Sequence, residues 1–535
     1  MKNKIVKCPA GRLMSFSGID GNTDFENGLI LRGAFKFSGF DIKFPGDGHI
    51  AFENTEPSES VFFSDWFSCG KLRGVFIDAY HFIIEGPCRT DAEDLEIKII
   101  SENGKTLIGI KNFFNKKLIL SDVDALIDER AKWSKQIVSE QGNKGNFFIN
   151  ALSQMKGQVY SPEGIIKHRW TTPDKWPHRR MWLWDSVFHA IGLRHIDIEL
   201  AKNSLDAVLD VQREDGFIAH MADPLGISKI TQPPVLALGY KLVNEYADDL
   251  EWLGAAYPKL KKYLQWDMKN RDSDGYGLLE WYIEADANCR SGESGMDNSP
   301  RFDAATQLDA TDFNSMLALE FEIMAEFAET LGLKDDAASW RMLHKTLCNK
   351  INQRLWNGKE NFYFDYDVTK NEMSEVMASS GFMPLICGAC SKEQATAIEK
   401  HIYDSETFGT ALVIPSIAVK SEKFYSKDMW RGPVWINVNW MVACGFRRYG
   451  MNDTADFIIR KTVEEIEAMF GKYGTFFEFF DDRCELDPSQ LLRKGKNVPD
   501  SFHQPLFDYG WTATLYIDML YWKYGPLHSE TALSP

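Results

Sequence analysis

The 535-residue chain has no apolar run long enough to cross a bilayer. Its apolar stretches are broken by charge within about ten residues, against the ~20 that a spanning helix needs. The start, MKNKIVKCPAGRLMSFSG, carries lysines but no secretory core, so a cytoplasmic location and no membrane partner are expected. Positive charge is in deficit: 60 Lys and Arg stand against 77 Asp and Glu, a net charge of −17. This argues against nucleic acid as a partner and is compatible with a neutral substrate. Cysteine is scarce and odd in number, nine in all, which fits free thiols in a reducing compartment rather than a disulfide framework. Cys387 and Cys390 in CGAC have the CxxC spacing, but no second pair accompanies them, so they are read as small buried residues and no metal is expected there. The nucleophile elbow, the phosphate-binding loop, the dinucleotide fingerprint and the HExxH zinc motif are all missing. No redox or nucleotide cofactor is called for.

What is present begins with aromatics. Sixteen tryptophans cluster: Trp176, Trp182 and Trp184 fall together, as do Trp430, Trp435 and Trp440. Next to Arg and Asp, such clusters suit the flat apolar faces of sugar rings. The length implies two or more domains, and the hydrophobic period changes along the chain. Phe40, Ile42 and Phe44 alternate, PGDG turns the chain, and Ile50 and Phe52 alternate again. Leu95, Ile97 and Ile99 lead to Asn103-Gly104 and then LIGI, a strong hairpin signal. Residues 1–120 are therefore read as a β-sandwich-like domain. SDVDALIDERAKW then opens a linker helix over 121–145, with Ser121 and Asp124 placed as a form of capping box.

From 146 to 535 the period is helical, with twelve segments: 147–159, 184–194, 197–212, 231–247, 249–270, 311–332, 335–355, 375–390, 392–404, 431–449, 453–472 and 507–524. No strands alternate with them and no sequence repeat of fixed period appears, which argues against a βα fold or an open solenoid. Six helical hairpins closed into an (α/α)6 toroid are expected. Long Gly- and Trp-rich loops separate the helices and hold the unusual residues.

Three stretches carry candidate chemistry. HRRMWLWDS sets Arg179, Arg180, Trp182 and Trp184 beside Asp185, a residue that also reads as a helix N-cap. ESGMDNSPRF, residues 293–302, places Asp297 in a loop that Gly295 and Pro300 keep from being helical. FFEFFDDR surrounds Glu478 with phenylalanines, where burial would favour the neutral acid. Two carboxyl groups across a cleft suit glycosidic acid/base work: one protonates the leaving oxygen and the other activates water. DSDGYG at 272–277 resembles half of a calcium loop but lacks the distal glutamate, so it is read as a turn, with calcium the lesser alternative.

These stretches together resemble trehalases and glycoside hydrolase family 63. ESGMDNSPRF is similar to the trehalase segment Glu-Ser-Gly-x-Asp followed by Ser and Arg. WLWDS resembles a Trp-Asp-Ser signature, Thr231-Gln232-Pro233-Pro234 a Gln-Pro-Pro, and TDFN (Asp312, Asn314) an Asp-x-Asn helix start. MWRGPVWINVNWMVACGFRRYG looks like the penultimate inner helix, FFEFFD like the segment of the general base, and DYGWT, ending at Thr512, like the closing Gly-Trp-Thr. The resemblance spans roughly 145–525 in one linear order. It implies an inverting exo-acting α-glycosidase on an (α/α)6 barrel, with Asp297 as acid and Glu478 as base. Arg179, Arg180, Trp182, Trp184 and Asp185 would grip the terminal sugar, with Arg301 from the acid loop. Gln232, Trp430, Arg431 and Trp435 would form the walls. Glu293, Asp303 and Asp481 are the acids most easily confused with the pair.

Departures bear on the substrate. The glycine-rich segment after the base in trehalases is replaced by SFHQPLF at 501–507, which puts a two-glucose disaccharide in doubt. Asp297 followed by Asn-Ser-Pro-Arg is closer to bacterial members that hydrolyse mannosyl- or glucosylglycerate, though those generally lack an N-terminal β-domain. An oligosaccharide or small glycoside is expected as substrate, glucose favoured over mannose. A glycoside phosphorylase on a similar barrel and a catalytically silent sugar-binding protein stay open as alternatives.

Overall fold

The computed structural model describes residues 12–36, 39–43, 49–53, 60–91, 96–496 and 505–524. The chain start, the PGDG turn and residues 501–504 of SFHQPLF lie outside the described residues.

The alternating segments form two antiparallel sheets. One runs Arg12–Ser15, Ile30–Lys36, Gly39–Lys43, His49–Glu53 and Arg89–Asp91 in spatial order. The other runs Ile97–Glu102, Lys105–Ile110, His81–Glu85, Leu72–Asp78, Trp66–Cys69 and Ser60–Phe62. Because successive side chains point to opposite faces, Phe82 and Ile84 meet Met14 and Leu31 of the first sheet and the adjacent Leu29. Ile83, with Val75 and Leu107, faces the other way onto Ile119 and Val123. The expected hairpin forms at Asn103-Gly104, both left-handed (φ 52° and 77°) and joining Glu102 to Lys105. Helix Val123–Gln141 follows, capped not by Ser121 but by Asp122, whose carboxylate accepts from the Asp124 and Ala125 amides.

The remaining helices form the (α/α)6 barrel. Its inner ring comprises Leu183–Leu193, Leu236–Ala247, Thr311–Thr330, the 3-10 helix Ser379–Leu385, Ile436–Arg448 and Gly510–Tyr524; each packs on the next and the last returns to the first. Every residue of Leu183–Leu193 is buried. Outside lie Phe148–Lys156, Ile198–Asp210, Leu250–Asn270, Lys334–Leu355, Lys392–Tyr403 and Asn452–Tyr473, more one-sided, as a ring exposed on one face requires. Gly192 lets the first and last inner helices meet: a Cβ there would run into the Thr514 carbonyl.

The helix expected over 375–390 is reduced to Ser379–Leu385. Pro384 cannot donate an amide bond, Gly388 is left-handed (φ 73°), and Gly381 is pressed against Phe362 and the Tyr363 carbonyl. The helices expected to begin at 231 and 431 begin at Leu236 and Ile436, after Pro233-Pro234 and Gly432-Pro433. No helix among the described residues is long and apolar enough to cross a membrane.

A buried ion cluster joins sheets and barrel. Lys156 Nζ lies 2.5 Å from Asp65 Oδ2 and 2.8 Å from Asp20 Oδ2, and donates to the Arg130 carbonyl at 2.5 Å. Burial pushes the Asp65 carboxyl up to about 6, against the pull of Lys156. Lys156→Met should strand both carboxylates and cost about 3–5 kcal/mol of unfolding free energy in urea melts. Adding Asp65→Leu should recover most of it; a double variant no more stable than the single one would rule this pairing out.

Candidate active site

A cavity of ≈ 210 Å³ opens where the inner ring begins. Its lining comes from segments that lead into inner helices: Trp182, Trp184 and Asp185 at the start of Leu183–Leu193, Gln232 ahead of Leu236–Ala247, Trp435 capping Ile436–Arg448, and Tyr509 and Trp511 at the start of Gly510–Tyr524. The aromatic wall is built edge to face: Trp184 meets Trp511 at 5.3 Å and 88°, and Trp435 meets Trp511 at 5.6 Å and 68°. Asp185 sits inside the first turn rather than at the cap, which is Trp182. Its Oδ1 has no protein partner, and burial lifts its carboxyl well above the usual carboxylate range. A neutral acid there both donates and accepts.

The segment ESGMDNSPRF is a sequence of anchors around one free position. Glu293 is buried, takes Arg271 on both oxygens (2.6 and 2.8 Å) and accepts weakly from the Thr231 amide. Gly295 lies flat against the Trp184 indole in a left-handed conformation (φ 71°), where a Cβ would collide with the ring. Asn298 donates to Asp428 at 3.1 Å and accepts from the Trp430 amide at 3.0 Å. Arg301 is sealed between Asp312 (2.7 and 2.9 Å) and Asp365 (2.6 and 3.0 Å). Between these anchors Asp297 faces the cavity.

The second carboxylate, Glu478, is buried and gripped by Arg493, Nε to Oε2 at 2.8 Å and Nη2 to Oε1 at 3.1 Å, with the Leu506 amide at 3.2 Å. A guanidinium is forked onto both oxygens, so this pocket is not the purely apolar one the phenylalanines suggested. The next residue, Lys494, reaches Asp297 at 2.8 Å. Burial pulls the Lys494 ammonium down and the Asp297 carboxylate outweighs it, leaving it above its ordinary value. Both cations come from one tight turn, Arg493–Lys496, closed by reciprocal backbone bonds, with Lys494 (φ 57°) and Gly495 (φ 75°) both left-handed. A non-glycine residue in that region costs on the order of 1 kcal/mol or more and persists only where its surroundings fix it; the Gly495 amide is held by Asp428 Oδ2 at 2.8 Å.

With this geometry in view, comparison with known proteins decides the family. The profile described as "Mannosylglycerate hydrolase MGH1-like glycoside hydrolase domain" matches residues 177–483, which include both carboxylates. The chain belongs to the MGH1-like glycoside hydrolases. It is 27% identical over 392 residues to mannosylglycerate hydrolase MGH1 of Selaginella moellendorffii, covering 58% of this chain and 77% of that one. It is 22% identical over 408 residues to the glucosylglycerate hydrolase of Mycolicibacterium hassiacum, covering 58% and 88%. The structure of the GH63 mannosylglycerate hydrolase from Thermus thermophilus in complex with glucose superimposes with a TM-score of 0.56 at 24% identity, over 69% of this chain and 98% of that one. Close to a third of this hydrolase therefore lies beyond that match.

Of the residues singled out in the sequence, Asp297, Glu478, Trp182, Trp184, Asp185, Gln232 and Trp435 line the cavity of the hydrolase. The other five are placed elsewhere. Arg179 stacks on Phe25, 5.1 Å to the ring centre, and donates to its carbonyl. Arg180 pairs with Asp223 at 2.8 Å, and Arg431 with Asp303. Arg301 is enclosed as above, and Trp430 backs Trp435 in a parallel stack at 3.8 Å. Asp481 is a turn residue, accepting from the Glu485 and Leu486 amides. Cys387 and Cys390 are buried. Asp272, Asp274 and Glu280 bring carboxylate oxygens within 4.8 Å of one another, and Arg354 stands 3.2 Å from Asp274.

Sequence reasoning missed Arg493, Lys494, Tyr509 and Trp511. The last two stand in the DYGWT segment itself; for the cations, the signal was the glycine of RKGK in the loop that follows Glu478. Gly295→Ala should displace Trp184 and Asp297 together. We expect kcat/KM to fall at least about tenfold and stability by about 1–3 kcal/mol, in rate assays and thermal melts. Gly226→Ala, where a Cβ meets open space, should change neither.

Proposed function

We propose that this hydrolase removes a terminal hexose from a small α-glycoside by single displacement, with inversion. The observation that carries the reading is the placement of two carboxylates on one cavity, each with its own cation. Glu478, gripped by Arg493, takes a proton from water as it attacks the anomeric carbon. Asp297 gives its proton to the glycosidic oxygen as the bond to the aglycone breaks. The ring packs on Trp184, Trp435 and Trp511, and the neutral Asp185 carboxyl meets a sugar hydroxyl. A cavity of ≈ 210 Å³ is below the ~300–1,000 Å³ typical of pockets for drug-sized ligands, which favours a monosaccharide on a small aglycone over a long chain.

The names of the relatives put mannosylglycerate and glucosylglycerate at the head of the substrates to try, ahead of simple glucosides. Phosphorolysis would need a phosphate pocket where the base stands, and Glu478 with its guanidinium fills that place. We assign catalysis to residues 146–535. The β-sheet region supports it through the Leu13 amide, which donates to Asp508 at 2.9 Å beside Tyr509, and through Phe25 under Arg179.

An NMR time course on α-glucosides, α-mannosides and both glycerate glycosides should show the β-anomer first. Asp297→Asn and Glu478→Gln should each lose about a thousandfold, ~4 kcal/mol of transition-state stabilisation. An α-anomer appearing first, or near-normal rates in either variant, would overturn the reading.

A further inference from the structure

One hydroxyl on the cavity takes no part in the reaction proposed above. Tyr509 lines the cavity with Glu478, Asp185 and Arg493, and its Oη makes no hydrogen bond to the protein among the described residues. Its backbone is nonetheless tied to the segment of the base. The Tyr509 amide donates to the Phe476 carbonyl at 2.9 Å, and the Glu478 amide donates to the Leu506 carbonyl at 3.0 Å. Residues 476–478 and 506–509 therefore lie side by side. The chain is held on both flanks of Tyr509 as well. The Gly510 amide donates to the Pro173 carbonyl at 2.7 Å. Asp508, left-handed at φ 55°, gives its amide to Thr475 Oγ1 at 2.7 Å and takes the Leu13 amide on its carboxylate at 2.9 Å. Such a conformation in a non-glycine residue persists only where its surroundings fix it. Backbone bonds thus set where Tyr509 stands relative to Glu478.

The acceptor sites of the base show what the hydroxyl can do. A carboxylate side chain offers about four. Oε2 of Glu478 takes Arg493 Nε and the Leu506 amide, and Oε1 takes Arg493 Nη2. A site on Oε1 is left for the water that Glu478 deprotonates. A water held by that single bond swings about it, whereas attack on the anomeric carbon needs a fixed direction. The second contact has to come from the cavity wall. Trp435 Nε1 is committed to the Met429 carbonyl at 3.0 Å, Thr512 Oγ1 to the Phe477 carbonyl at 2.8 Å, and Asp174 to the amide and imidazole of His178. The carboxylate that acts on His220 is Asp297. The carboxyl groups that act most on Tyr509 are Asp185 and Glu478. Burial first, then those two groups, push its phenol well above the ordinary tyrosine range, so it stays a hydroxyl that both donates and accepts.

We propose that Tyr509 is the positioning residue for the attacking water, which its Oη and Glu478 Oε1 hold between them on the face of the sugar opposite the aglycone. The water donates one hydrogen to Glu478 and the other to Tyr509, which leaves a lone pair directed at the anomeric carbon. As the new C–O bond forms, the first proton passes to Glu478 and the glycosidic bond breaks towards the aglycone. Tyr509 keeps its own proton throughout. This rests on Glu478 being the general base.

Tyr509→Phe keeps the ring and its edge-to-face contact with Trp511 (5.0 Å, 79°), and its thermal melt should match wild type. On whichever hexosyl glycerate the enzyme turns over, kcat should fall at least about tenfold with KM changed by less than about twofold. An α-hexosyl fluoride, whose leaving group needs no proton but which still needs water and base, should show the same loss. A rise in KM with kcat unchanged would make Tyr509 a sugar contact. A loss on the glycerate glycoside that spares the fluoride would place it on the side of the leaving group. Either result overturns the proposal. Because both side chains act on one water, Tyr509→Phe should cost much less in the Glu478→Gln background than in wild type; fully additive losses would also overturn it. Glu478→Gln alone separates this from the parent reading. A large loss on both substrates supports Glu478 as base, and the Tyr509 results then stand by themselves. Near-normal rates would remove the base assignment and this inference with it.

Discussion

Two carboxylates facing one small cavity repel each other and resist leaving water, and the site of this hydrolase depends on how that cost is met. The turn Arg493–Lys496 meets it from one short stretch of chain. Arg493 forks onto Glu478, and Lys494 reaches Asp297. The neighbouring acids are handled differently. Burial lifts the Asp185 carboxyl well above the usual carboxylate range, and Glu293 is matched by Arg271 outside the cavity lining. Of these four acids, three are matched by a cation each and Asp185 is set apart by burial.

The barrel turns this local arrangement into a defined geometry. Inner helices are more fully buried than the outer ones, so they can be neighbours in a closed ring, and their N-terminal ends gather around one opening. Trp184, Trp435 and Trp511 come from three such ends, and their edge-to-face contacts fix the wall before any ligand arrives. The long loops that precede the helices then need only short reaches to bring in Asp297 and Glu478. In the loop 293–302, Glu293, Asn298 and Arg301 around Asp297 are each committed to a partner, so the freedom of that side chain is confined to its own rotation.

The sequence exposed the parts of this plan that are local. Helical periodicity marked nearly every barrel helix, and Asn103-Gly104 marked its hairpin, because spacing and turn chemistry are written in adjacent residues. The segment 375–390 failed for the same reason, since Gly381, Pro384 and Gly388 overrode an apolar pattern. Partner choice is not written locally. Arg301 looked like a sugar contact, a cation in a functional loop, but Asp312 and Asp365 enclose it. Trp430 and Trp435 could not be told apart until the cavity lining showed that Trp435 faces it and Trp430 stacks behind. Arg493 and Lys494 were passed over because nothing in RKGK names the carboxylates they meet. The phenylalanines around Glu478 suggested an apolar pocket, when its decisive neighbour lies fifteen residues away.

The ring's closing seam has a consequence for how the protein is made. Gly192, in the first inner helix, packs directly on Thr514 in the last, and the strand amide of Leu13 bonds Asp508, 495 residues on. Neither contact exists until the final helix has left the ribosome. During synthesis the earlier inner helices, largely buried in the closed ring, stand with one flank uncovered. Contacts of such long sequence separation form late and slowly, and the exposed flank is the kind of surface on which chains associate wrongly or chaperones bind. Tyr509 and Trp511 arrive with that same helix, so the cavity wall and the closed ring are completed together.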